Sequence, residues 1–84
     1  MSLRTGNQLK AARALADLNQ EALADRAGVS VNTIRNMESR GNKTLVSGLD
    51  IVEKAQSTLE RAGVQFIPEN GGGRGVRLAR PTAK

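Results

Sequence analysis

The sequence predicts a mainly α domain of four helices closed by a short C-terminal β-hairpin. Three observations carry that prediction. Residues 19–38 hold two short helix-like stretches joined across Gly28 and Ser30. Apolar residues at helical spacing flank them, at Leu9, Ala12 and Ala16 on one side and at Leu49, Val52, Ala55 and Leu59 on the other. From Val64 the pattern changes to two strand-like runs, Val64-Gln65-Phe66-Ile67 and Gly75-Val76-Arg77-Leu78, with a glycine-rich segment between them.

The first helix begins at a capping box. Thr5 can accept from the backbone three residues on, and Gln8 can reach back to the Thr5 amide. The helix should run to about residue 17. Arg13 falls on its otherwise apolar stripe, where a cation must run to solvent, contact phosphate or meet an acid.

The second and third helices are each specified at both ends. Asn19 can cap the second, with Glu21 placed in its positive first turn. Gly28 suits the left-handed residue that ends it, and Ser30 can cap the third only two residues later. So short a link forces a steep crossing, which demands small or apolar facing residues. Leu23, Ala24, Ala27, Val29, Ile34 and Met37 meet the demand. The other face of the third helix offers Val31, Asn32, Thr33, Arg35 and Asn36, mostly groups able to read base edges. This is a helix-turn-helix pattern.

On Gln20, Leu23, Ala24, Gly28, Val29, Ile34 and Glu38 the chain resembles the Cro/cI (XRE) family of phage and bacterial repressors and restriction-modification controllers. The motif proper covers residues 19–38, with a weaker likeness over 9–63. The resemblance implies a lambda-repressor-like four-helix domain, and it implies that Arg13 pairs with Glu38. It also implies that Gln20 helps fix the start of the second helix on the DNA backbone.

Residues 40–45 read as a loop, with Gly41 and Asn42 suited to a turn and with Arg40 and Lys43 supplying charge. A second capping box, Ser47-Gly48-Leu49-Asp50, should open a long fourth helix over 48–62. Its inner stripe is expected at Leu49, Val52, Ala55, Leu59 and Ala62, with Gly63 as the cap and Ile51 off the stripe. The domain is thus read as 1–63, followed by a hairpin extension over 64–80, packed on the same domain or on a dimer partner, and a basic tail over 81–84. The glycine cluster at 71–73 lacks the Gly-Lys-Ser/Thr ending and following helix of a phosphate-binding loop, so a turn is expected. Simple all-helical relatives carry no such hairpin.

Composition limits the chemistry. Eighty-four residues make one modest core, and Phe66 is the only aromatic residue. Without cysteine or histidine there is no disulfide, thiolate, imidazole base or Cys/His metal site. The acids are scattered and the serines lack a base partner, so an enzyme is rejected and no cofactor or metal is expected. No apolar run approaches a membrane span and the amino end lacks a signal-peptide pattern, so a cytoplasmic location is expected. The net charge of +5 is clustered. Arg35, Arg40 and Lys43 form one group, and Arg74, Arg77, Arg80 and Lys84 another, as a polyanion-binding domain requires.

The leading expectation is a double-stranded DNA-binding transcriptional regulator, a repressor holding a palindromic operator as a homodimer. Val31, Asn32, Arg35 and Asn36 would contact bases, with each asparagine able to bond adenine bidentately. Gln20, Thr33, Arg40, Asn42 and Lys43 would contact phosphate. Ile51, Val64, Phe66 and Ile67 are the dimer candidates, because a two-stranded hairpin needs another surface to cover it. The alternative is an antitoxin or antiactivator module whose main contact is another protein.

Overall fold

Chain order in the computed structural model is α1 (Gly6–Leu15), α2 (Gln20–Ala27), α3 (Val31–Glu38), α4 (Leu49–Arg61), β1 (Val64–Ile67) and β2 (Gly75–Leu78). It describes residues 3–69 and 71–79. The expected tail over 81–84, with Arg80 before it and Asn70 in the hairpin loop, lies outside the described residues.

The caps form through local side-chain chemistry. Thr5 Oγ1 accepts from the Gln8 amide at 3.1 Å, and Gln8 Oε1 accepts in return from the Thr5 amide at 3.2 Å. Asn19 Oδ1 accepts from the Ala22 amide at 2.7 Å, and Ser30 Oγ from the Thr33 amide at 3.1 Å. Gly28 is left-handed at φ 74°, which turns the chain from α2 into α3 without a Cβ clash. Asp17 is also left-handed, at φ 59°, in the turn between α1 and α2. Aspartate tolerates that region better than most residues.

Leu9, Ala12, Leu23, Ala24, Ile34, Met37, Val52, Ala55 and Leu59 share one core with Leu3, Val64 and Phe66. Ala24 is buried where α2 meets α3, so the two helices can approach closely.

Helix α4 differs from expectation at both ends. Its N-cap is Gly48 with no side-chain hydrogen bond, so Ser47 and Asp50 form no capping box. Leu49 is 66% exposed, and Ala62 is exposed at the C-cap. The buried stripe is Val52, Ala55, Thr58 and Leu59. Thr58 can take an apolar position because its hydroxyl donates to the Lys54 carbonyl at 2.8 Å. Gly63, at φ 98°, lies one residue beyond the cap and turns the chain into β1.

The strands pair antiparallel with Val64 opposite Leu78 and Phe66 opposite Val76. Strand β1 packs on α4 and β2 on α1. Val64 and Phe66 are therefore core residues, 2% and 6% exposed, and this removes them as a free dimer surface. The hairpin finds the cover it needs within its own chain. Ile67 on the opposite face and Ile51 on α4 keep partial exposure. Gln65 and Arg77 join across the outer face, Arg77 Nε donating at 2.7 Å.

Candidate nucleic-acid interface

Helix α3 presents Asn32, Arg35 and Asn36 to solvent while Ile34 and Met37 are buried beneath it. The two asparagines, four residues apart, project from one side of the helix. Val31 is only partly exposed, because part of its side chain packs against the core. Thr33 is half-buried and shares a 2.9 Å hydroxyl contact with Ser30. Of these five residues, Val31 and Thr33 keep partial exposure and Asn32, Arg35 and Asn36 are exposed.

A polar cluster holds the end of α3 to the rest of the domain. Arg13 Nε donates to Glu38 Oε2 at 2.7 Å and a second guanidinium nitrogen donates to Oε1 at 3.0 Å. The third guanidinium nitrogen reaches the Leu18 carbonyl at 3.1 Å, which secures the turn containing Asp17. The hydrogen bond to Glu38 raises the Arg13 pKa against the opposing effect of burial, and the charges of Glu38 and Glu21 add to it. Gln20 Nε2 also donates to Glu38 Oε1, at 3.1 Å, so this side chain is turned inward rather than presented outright to phosphate. The first turn of α2 is consequently fixed beside α3.

The loop after α3 is braced by the start of α1. Asn7 donates its backbone amide to the Gly41 carbonyl at 2.9 Å and its side-chain amide to Asn42 Oδ1 at 2.7 Å. The Leu45 amide donates to the Arg4 carbonyl at 2.8 Å, and Thr5 bridges Thr44. Arg40 Nε donates to the Thr44 carbonyl at 3.1 Å, closing the loop on itself. Lys43 is exposed at its outer edge. Asn42 and Arg40, both expected at phosphate, thus also hold the loop's shape.

Gly6 is a close approach of α1 to the end of α3. A Cβ there would overlap the Met37 carbonyl oxygen and lie 2.9 Å from both the Glu38 carbonyl oxygen and the Gly41 nitrogen. The sequence does not single out Gly6, Asn7 or Glu21 for this interface. Glu21 reads as a helix-dipole residue, yet its carboxylate meets Arg35 at 3.3 Å. Its local signal is an acid in a first turn, and nothing local indicates that α3 passes beside it.

Among the described residues, no group of three or more His, Cys, Asp or Glu side chains could hold a metal. No helix among them is long and apolar enough to cross a membrane. A family model described as helix-turn-helix matches residues 9–52, just over half of the chain. No curated protein matches the chain.

Proposed function

The chain belongs to the XRE-type helix-turn-helix family of DNA-binding regulators, and from that premise we propose that it is a sequence-specific repressor holding a palindromic operator as a homodimer. The observation that carries this reading is the exposed face of α3. Asn32, Arg35 and Asn36 stand out from a helix whose other side is locked into the core. Such a face can enter a major groove and read base edges. Arg40, Asn42 and Lys43 lie on the braced loop just past the helix, in position to set its register on the phosphates.

One recognition helix spans few base pairs, so a symmetric pair would reach two half-sites about 10 base pairs apart or a multiple of that. With Val64 and Phe66 taken into the core, Ile51 and Ile67 are the dimer candidates left with partial exposure. Repression by occupying a promoter is the simplest mode of action.

Selection from random DNA tests the proposal. A two-fold symmetric consensus is expected, with a dimer by sedimentation at concentrations that saturate it. A monomer bound to an asymmetric site would remove the homodimer and the palindrome together. Within the interface, Asn36→Ala should cost about 1–3 kcal/mol of discrimination at one base position. Lys43→Ala should weaken all sequences alike and reduce the salt slope by roughly one. A selected consensus unaltered by Asn36→Ala would take Asn36 off the list of base readers.

A further inference from the structure

We infer that Glu21, which lies outside the recognition helix, is a positioning residue for base selection: it holds Arg35, and Arg35 in turn fixes the orientation of the Asn32 amide. The inference rests on the proposed DNA-binding function and deepens it. Arg35 does not extend straight away from α3. One terminal nitrogen of its guanidinium donates to Glu21 Oε2 at 3.3 Å and the other to Asn32 Oδ1 at 3.3 Å. Glu21 is in the first turn of α2, and the cap at Asn19 and the Gln20–Glu38 bond hold that turn in place. The backbone that carries the Glu21 carboxylate is therefore held in place beside Arg35.

The consequence for Asn32 follows from donor and acceptor chemistry. A guanidinium only donates, so the Asn32 group facing it must be the carbonyl oxygen. The amide nitrogen is then turned away from Arg35. Bidentate pairing with adenine needs both the oxygen and the nitrogen of the amide turned to the base. An Asn32 oxygen held by Arg35 keeps a second lone pair, so the contact sets which way the amide faces a base rather than removing its acceptor.

Glu21 is needed because the Arg35–Asn32 contact is long, exposed and made by a rotamer-rich side chain. Both Glu21 and Arg35 side chains are at least half exposed, at 66% and 50%, so the pair itself adds little to folding stability. Its effect is on which way the reading groups face.

Random-DNA selection with the full chain and three variants tests this. Asn32→Ala identifies the position that Asn32 reads. Glu21→Ala is expected to lower the wild-type base preference at that position by about tenfold. Glu21→Gln retains a carbonyl acceptor for Arg35 and should keep the wild-type preference. Both Glu21 variants remove the same negative charge, so both should raise affinity for non-operator DNA by a similar factor. Far-UV circular dichroism checks that each variant is folded. An unchanged consensus in Glu21→Ala, a changed one in Glu21→Gln, or a consensus indifferent to Asn32→Ala would overturn the inference while leaving DNA binding intact. A wild-type chain that selects no sequence at all would overturn the proposed function and this inference with it.

Discussion

Glu38→Ala is expected to lower the unfolding free energy by about 3 kcal/mol, the low end for breaking a buried ion pair. The Glu38 side chain is 6% exposed and Arg13 19%, so the arginine left behind recovers some hydration. What is lost is a carboxylate that accepts from two Arg13 nitrogens and from Gln20. For a domain of this size the loss corresponds to a fall in melting temperature of roughly 12 °C or more. Thermal and urea unfolding would measure it. Arg13→Met should be comparably damaging, because it leaves the buried carboxylate with Gln20 as its remaining side-chain partner here. The double variant should recover part of the loss, giving a coupling of about 1.5 kcal/mol or more in a double-mutant cycle. A coupling near zero would mean that the contact, despite its geometry, does not hold α1 to α3.

Gly6→Ala is expected to cost about 3 kcal/mol by a different route. The added methyl would meet three backbone atoms, the carbonyl oxygens of Met37 and Glu38 and the nitrogen of Gly41. Backbone cannot rotate away as a side chain can, so α1 must shift or the loop after α3 must open. Overpacking in a closed site costs typically about 1–3 kcal/mol, and the upper end applies where nothing can yield. A shift there also strains the Asn7–Gly41 and Asn7–Asn42 bonds. The variant should therefore lose DNA affinity beyond what its folded fraction explains. Gly72→Ala, where a Cβ meets nothing within 4 Å, is the comparison expected to stay near wild type. Equal melting temperatures for the two variants would contradict the close approach.

The elements, the ends of α4 apart, were legible in the sequence because their ends depend on short-range chemistry. Thr5 with Gln8, Asn19, Gly28 and Ser30 each act within a few residues of their own position, and each caps or turns as the local pattern indicates. The two strands and the glycine-rich link between them are equally local. The polar face of α3 was legible too, since Ile34 and Met37 can face the core only if Asn32, Arg35 and Asn36 face away.

Tertiary structure decided what depends on separate segments meeting. Leu49 belongs to the apolar stripe by spacing, but the core does not reach it and it stays exposed. Val64 and Phe66 alternate as strand residues must, and only the positions of α1 and α4 show that their own chain covers them. Leu3 has no periodic signal, yet it is 1% exposed because residues before α1 run back over the core. Gly6 lies thirty-odd residues from the carbonyls that exclude a Cβ, and Glu21 lies outside the helix whose arginine it holds. Capping and alternation are set by neighbours in the chain, whereas burial, close approach and side-chain pairing are set by neighbours in space.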